Sequence, residues 1–299
     1  MDRIDAMRVF ARVAETRSFR QAAADLGLPR STVTEAVKRL EARLGVRLLD
    51  RTTRVVLPTL DGEAFYRRCL AIVAAVEDAE TAFRGGRPEG RLHVNMHGIV
   101  ASLLILPRLC EFLARYPGID FMLSDGDRLV DLLREGVDCV IRSGQPADSD
   151  LIARRLGQFE EITCAAPAYL DRHGTPLSVD DLAGDDFGGH RMIGFFSTAT
   201  QGLLPLEFVV EGRLVERRLP TSLTVTGGAT LVQAGRLGFG LFQAPRYHMQ
   251  EDLAAGRLVE VLPHCPPSPT PVFALYPRDR QLSPRLRVWL DWLAGIEFR

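Results

Sequence analysis

Ser31, Thr34, Glu35 and Lys38 fall on one side of the stretch "LPRSTVTEAVKRLEARLG", Leu28 to Gly45, whose other side is apolar. At about 100° per residue, Val33, Val37, Leu40 and Leu44 form a packing stripe and the polar residues cluster opposite it. The chemistry this pattern suits is nucleic-acid recognition. Small hydroxyls let a helix approach a duplex and bond phosphates or base edges, and a Glu can accept from a cytosine amino group. A Lys reaches a guanine or a phosphate. Lys38 is the only Lys in the chain. Arg30 and Arg39 lie off the centre of this face and suit contacts to the DNA backbone. The alternative for the face, and for Glu35 above all, is the solvated surface of an ordinary amphipathic helix.

The elements around this stretch favour recognition. A first helix is expected from Asp5 to Glu15, with Met7, Phe10, Val13 and Ala14 on one side. In "TRSFRQAAADLG", Ser18 and Gln21 have capping-box spacing, three alanines favour helix, and Gly27 ends it. Two short helices, a tight turn at Gly27–Pro29 and a third helix with a polar face make a helix-turn-helix. "GVRLLDRTTRVVLP" then reads as strands Val46–Leu49 and Val55–Leu57 around a tip of Arg51, Thr52, Thr53 and Arg54, a wing with two arginines suited to phosphates or the minor groove. A solvated hairpin turn is the alternative.

Next comes "PTLDGEAFYRRCLAIVAAVEDAETAFRGGRPEG". Phe65, Cys69, Ile72, Val76, Ala79 and Phe83 keep a heptad spacing of 4, 3, 4, 3, 4, which predicts a helix from Thr59 to Arg84 that pairs with a second copy. From Arg91 strands alternate with helices: "RLHVNMH", a helix from Val100 to Arg115, "IDFMLSD", the helix "RLVDLLREG", "DCVIRSG", and later "LTVTG", "ATLVQAGRLG", "GFGLF", "PVFALYP" and "SPRLRVWLDWLAG". Such alternation builds an α/β sheet, and ligands on such sheets sit beyond the carboxyl ends of the strands.

With 299 residues, 46% hydrophobic and 25% charged, the chain has room for two or three domains. No apolar run has the length of a signal peptide or a membrane span, so a cytoplasmic location is expected. The net charge is −1, but residues 1–60 hold 12 basic against 7 acidic residues while the rest hold 25 against 31. A basic head on an acidic body points to a polyanion at the N-terminus. Cys69, Cys110, Cys139, Cys164 and Cys265 are odd in number and never in CxxC form. They are expected as buried free thiols rather than disulfides or a zinc site.

The order of these elements resembles the LysR-type transcriptional regulators along essentially the whole chain. The most specific stretch is Ser18 to Tyr66, through its Ala-Ala, Leu-Glu, Leu-Gly, Leu-Leu-x-Arg and Thr…Gly-Glu spacings; "LPRLCEFLARYPGIDF", "LVDLLREGVDCVIRSG" and "LSPRLRVWLDWL" match more weakly. The resemblance implies a winged helix-turn-helix over 1–58, a linker and dimerisation helix over 59–87, and a two-lobed α/β, periplasmic-binding-protein-like effector domain over 88–299. Lobe I takes about 88–162 and 266–299, lobe II about 163–265. It implies dimers or tetramers on interrupted palindromes of double-stranded DNA, a small effector, often an organic acid, that alters DNA bending, and a contact with RNA polymerase if the protein activates. No cofactor, metal or membrane is implied. Ser31, Thr34, Lys38 and Arg51 match DNA-contacting positions, with Arg30, Thr32, Glu35 and Arg54 beside them. His97, Gly98 and Ser102, Asp125 with Asp127, Arg142 with Ser143, and Thr226 with Gly227 match effector-facing loops. Arg142 suits an anion anchor; its alternative is an ion pair with Asp125 or Asp127. Phe195 and Phe196 suit cleft walls, or ordinary core. The chain departs from the family at Pro29, where a Ser often caps, so that either the cap is lost or Thr32 with Glu35 starts the helix later. Glu35 replaces a neutral or basic residue, and Thr226 a frequent Asn.

The alternatives are an enzyme carrying a DNA-binding head and an architectural DNA-bending protein. Phosphate-loop chemistry is excluded because Lys38 is the only Lys, and no GxSxG or HExxH occurs. "GRLGFG", Gly235 to Gly240, follows a helix and lacks the context of a dinucleotide loop. His93 and His97 share a strand face without a third ligand. An architectural protein would have no need of a body with a cleft.

Overall fold

The computed structural model describes the chain except for residues 52–55, 85–86, 127–131, 133–135, 147–148, 183–188, 199, 279–282 and 299, together with the side chains of 51, 74, 77–84 and 222. Arg54, the remainder of the wing tip, Asp127 and most of the helix expected at 128–136 lie outside the described residues.

The N-terminal head is built from capped, tightly terminated helices. Helix α1 (Arg3–Thr16) starts two residues earlier than expected because Asp2 and Asp5 form a capping box. Ser18 Oγ accepts from the Gln21 amide at 3.2 Å to open α2 (Phe19–Asp25). Helix α3 (Arg30–Leu44) begins directly after Pro29 with no side-chain cap, so the loss of the capping Ser is not made good by Thr32. Gly45, at φ 71°, ends α3. The buried stripe of α3 is Val33, Ala36, Val37 and Leu40. Leu44, expected in that stripe, is 40% exposed.

The wing pairs β1 (Leu49–Arg51) with β2 (Val56–Pro58) antiparallel, Arg51 facing Val56. The first strand starts three residues later than expected because Glu41 Oε1 of α3 accepts from the amides of Leu48 and Leu49 at 2.9 and 3.1 Å. Thr59 then opens α4 (Leu60–Arg84): its Oγ1 accepts from the Gly62 amide at 2.9 Å and donates to the Arg47 carbonyl at 2.7 Å. A Cβ on Gly62 would stand 1.9 Å from the Leu48 carbonyl oxygen, so only Gly lets α4 lie this close to the wing.

The heptad residues of α4 do not all face outward. Phe65 packs on Phe10 with ring centroids 5.6 Å apart, and Cys69 is wholly buried in the head's own core. Cys69 is thus unavailable to a second copy, whereas Phe65 is half-buried, with part of its ring taken by α1. Ile72 is exposed and Val76 half-buried; the side chains of Ala79 and Phe83 lie outside the described residues.

The body starts with β3 (Gly90–Met96), which is parallel to β4 (Ile119–Asp125) and β5 (Cys139–Ser143). With β6 (Leu151–Phe159) and β15 (Thr270–Pro277) these make one sheet in the order β4-β3-β5-β15-β6. Between β3 and β4 a helix, α5, runs over 98–115 and contains a π segment, Ala101–Ile105. It starts two residues before the expected Val100. Its apolar side covers Leu92, Val94 and Met96 of β3, with α9 (Pro284–Leu293) beside it; Phe112 meets Trp289 edge-on at 5.3 Å. The chain leaves this sheet at Glu160 and returns through 261–269. In between, β7 (Glu161–Ala165) pairs with β13 (Phe242–Pro245) and β14 (Val259–Glu260). A further sheet holds β8 (Met192–Ser197), β9 (Gly202–Leu204) and β12 (Thr221–Val225), and β10 (Leu206–Val210) pairs with β11 (Arg213–Arg217). Helices α6 (Pro167–His173), α7 (Gly228–Arg236) and α8 (Arg246–Ala254) surround these strands. Strand β13 begins at Phe242 rather than Gly238, because Gly238 and Gly240 adopt φ of 75° and 157°.

The cysteines are all free, and Cys69, Cys139, Cys164 and Cys265 are buried as expected; Cys110 on α5 is exposed. Burial pushes the thiols of Cys69, Cys139 and Cys164 up to about 12, so they are inert hydrophobes.

Gly62→Ala tests the contact of linker and wing. Overpacking against a backbone atom costs about 1–3 kcal/mol. Thermal unfolding followed by circular dichroism is expected to show the head melting several degrees earlier, and an unchanged midpoint would remove the constraint.

Candidate nucleic-acid interface and effector cleft

On α3, Arg30, Ser31, Glu35 and Lys38 are exposed and Thr32 and Thr34 half-buried, on the side away from Val33, Val37 and Leu40. Thr34 Oγ1 donates to the Arg30 carbonyl at 2.9 Å, leaving its lone pairs for an outside donor. Glu35 Oε1 accepts from Arg39 Nε at 2.8 Å across one turn. An exposed pair of this kind adds little stability, but it neutralises the carboxylate and holds the guanidinium on the recognition side. A charge that would repel phosphates is thus offset by a residue four positions on. Arg51 ends β1 at the wing.

The expected effector residues gather because β3, β4 and β5 run parallel and end at one edge. His97 follows β3 as the N-cap of α5, beyond the strand rather than on its face, Asp125 ends β4, and Arg142 and Ser143 end β5. A Cβ on Gly98 would lie 3.0 Å from Asp125 Oδ2, so this carboxylate abuts the start of α5. Ser102 lies in the π segment and donates to the Ile99 carbonyl at 3.2 Å.

Arg142 is tied into the sheet at its strand end. Its guanidinium donates to the Asn95 side chain and to the Ile141 carbonyl at 2.9 Å. Asn95 is buried and donates in turn to Ser124 Oγ at 3.0 Å, which also meets His93 Nε2 at 2.9 Å. Much of the donor fork is therefore committed within the sheet. His93 belongs to this polar ladder, and among the described residues no group of three side chains could hold a metal ion.

The facing side comes from α7. Gly227 is its N-cap and supplies no side-chain bond, and Thr226 before it is exposed. A Cβ on Gly228 would meet Ile99 Cδ1 at 3.3 Å and His248 Cε1 at 3.4 Å. The start of α5 and the start of α7 thus face each other with glycine at the contact. Phe195 is half-buried against the core cluster that holds its strand partner Val225, which makes it core with one edge outward; Phe196 is also half-buried. Asn95 and His248 escaped the sequence reading because their roles depend on neighbours remote in the chain. Gly62 and Glu41 lay within the motif spacings without a visible reason.

Asp252 fixes the two helices on this side. It is 1% exposed and accepts from Arg236 of α7 at 2.7 Å and from Arg257 at 2.6 Å. Burial works against its charge, but the two guanidinium partners outweigh it and hold the carboxyl below its ordinary value.

A winged helix-turn-helix on a long helix, joined to an α/β body with a glycine-lined cleft, defines a DNA-binding regulator with a ligand-binding domain. Residues 4–63 match the model of the bacterial regulatory helix-turn-helix protein, lysR family, and residues 85–295 match the LysR substrate binding domain. The chain is 38% identical over 300 residues to the HTH-type transcriptional regulator YhjC of Escherichia coli K12, covering 99% of this chain and 98% of that one. It is 36% identical to the HTH-type transcriptional repressor PA14_22550 of Pseudomonas aeruginosa, covering 99% and 92%. The structure of CrgA, a LysR-type transcriptional regulator from Neisseria meningitidis, aligns over 97% of both chains at 32% identity with a TM-score of 0.60. The chain belongs to the LysR family of transcriptional regulators. These relatives are named as regulators, not enzymes, which removes the enzyme reading.

Asp252→Ala is expected to cost about 2 kcal/mol at neutral pH by removing the charge-assisted hydrogen bonds that tie Arg236 and Arg257 to α8. Because its native value is lowered, the stabilisation is fully present above the ordinary Asp value of about 3.9 and fades as pH falls through the lowered native one. Urea unfolding at stepped pH checks this. A deficit that instead grew on acidification would overturn it.

Proposed function

We propose that the head, 1–58, reads an interrupted palindrome through the exposed face of α3, and that the cleft of the body, 88–299, binds a small organic acid that changes the bend imposed on the DNA. The observation that carries the first half is the polar face of Arg30, Ser31, Thr34 and Lys38 opposite a fully buried stripe, braced to the wing by Glu41. Thr32 and the Glu35–Arg39 pair flank that face, and Arg51 and Arg54 serve the wing's approach to the backbone. Two copies pair through the distal part of α4, with Ile72 and Val76 on the seam and Ala79 and Phe83 continuing it. The pair sets the spacing of the two recognition helices, which must be about one duplex turn, ~34 Å, or a multiple. If the protein activates, a surface of the assembly meets RNA polymerase. No helix among the described residues is long and apolar enough to cross a membrane, and a cytoplasmic location suits the work.

In the cleft, His97, Gly98, Ser102 and Asp125 stand on one side and Thr226 and Gly227 on the other, with Phe195 as part of a wall. Arg142 and Ser143 close the strand ends. Arg142 contributes mainly its charge, its donors being engaged by Asn95 and Ile141. Anion binding then falls chiefly to helix amides.

Lys38→Ala is expected to weaken operator binding and to make the slope of log affinity against log salt shallower by about one unit, without unfolding the protein. Fluorescence anisotropy over a salt series reads both. An unchanged slope and affinity would return Lys38 to the solvated surface. Val76→Glu puts a charge into the proposed seam and is expected to yield monomers by light scattering; a dimer of native size would exclude the distal helix as the interface.

A further inference from the structure

His248 lies in the first turn of α8. A Cβ on Gly228 would stand 3.4 Å from its Cε1 and 3.7 Å from its Nδ1, and 3.3 Å from Ile99 of the facing side. The Nδ1–Cε1 edge is therefore turned to the place where α7 begins and where α5 comes closest. Nδ1 is buried and has no hydrogen-bond partner among the described residues. A buried ring nitrogen without a partner is costly, and an apolar side chain would fill the same space without that cost.

The surroundings define what this nitrogen can serve. Helix α7 starts without a side-chain cap and without an acidic residue in its first turn; its first backbone bond runs from the Leu231 amide to the Gly227 carbonyl. His97 from the opposite side acts electrostatically on His248, and on its own helix the Tyr247 ring meets the imidazole edge-on at 4.4 Å. Glu161 of β7 acts electrostatically on Tyr247, and Arg246 is held by Glu160 and Glu260. Asp125 already places a carboxylate at the start of α5, so an incoming anion is repelled there and favoured at α7.

We propose that His248 is the specificity-determining residue of the cleft, its Nδ1 bonding a carboxylate oxygen of an effector seated against the start of α7. This rests on the reading of the cleft as the effector site. Burial, with His97 adding to it, pushes the imidazole down to about 4, so it is neutral near pH 7. A carboxylate alongside favours the imidazolium. Binding then takes up a proton, and affinity strengthens as pH falls.

The test is isothermal titration calorimetry of the full-length protein with benzoate, succinate and acetate as probes. Measurements run from about pH 8 to about pH 5.5, in buffers of different ionisation heat. For the carboxylate that binds, affinity is expected to rise about tenfold over this range with net proton uptake. In His248→Gln, binding is expected to be weaker and independent of pH, whereas His97→Gln retains the pH slope whatever its affinity. His248→Asn provides a second variant, and circular dichroism checks that each is folded. A pH slope that survives in both His248 variants, or that is lost in His97→Gln instead, overturns the assignment and leaves the cleft as the site. Failure of all three carboxylates to bind the unmodified protein overturns the carboxylate chemistry proposed for His248. Gly228→Phe fills the cleft; a probe that still binds this variant with native affinity sits elsewhere, and the cleft reading falls with it.

Discussion

The close approach of α4 to the wing at Gly62 is the constraint on which the rest depends. With the Leu48 carbonyl oxygen only 1.9 Å from where a Cβ would stand, the first turn of the linker helix has one residue type available. Thr59 secures the same corner by bonding both the Gly62 amide and the Arg47 carbonyl. From there the direction of α4 is settled, and Phe65 and Cys69 are carried into contact with α1. Tyr66 adds a hydrogen bond to Glu15 at 2.8 Å, and burial first, then Glu15, raises its phenol above the ordinary value. Head and proximal linker are consequently one packed unit, and whatever tilts the linker tilts the recognition helix.

That unit also touches the body. Arg91, in β3, reaches Glu15 at 4.0 Å, and the Cβ position of Gly136 lies 4.0 Å from Leu70 of α4. Glu15 is held at the same time by Arg12 at 3.0 Å. Each ion pair is weak by itself at an exposed site. Their placement matters more than their strength, because β3 runs directly from this contact to His97 at the cleft. A rigid strand therefore joins the two ends. Long-range coupling requires contiguous packing of this sort, although it takes differential ligand contacts in two states to drive it.

Much of this was legible in the sequence, and for identifiable reasons. Helices α1, α2 and α3 announce themselves through caps, alanines and glycines, all local signals. Strand β4 and the closing helix followed their alternation and periodicity. What failed involved tertiary contacts. The heptad spacing of α4 was real, but a heptad does not say whether its partner is another copy or the same chain, and α1 takes Phe65 and Cys69. The start of β1 moved because Glu41 claims two amides of the wing. The Gly238–Gly240 stretch looked like strand by its apolar residues, but its glycines turn the chain. In the cleft, parallel strands made the edge foreseeable, whereas Asn95 and His248 act through neighbours far away in sequence.

Arg142 shows why residue type alone is a poor guide to an anion site. A guanidinium at a strand end offers a fork of donors, and the fork attracts whatever acceptor is nearest. Here that acceptor is Asn95, itself buried and unable to remain unpaired. Releasing Arg142 to a ligand would strand the Asn95 oxygen and loosen a ladder that continues through Ser124 to His93. The uncapped first turn of α7 carries no such obligation. Its amides are oriented by the helix, need no rearrangement, and lose nothing internal when an anion arrives. Gly227 and Gly228 bring no Cβ to that turn, and the side chains nearest Gly228 are Ile99 and His248, so an anion seated there as proposed would meet backbone amides and one imidazole rather than a guanidinium.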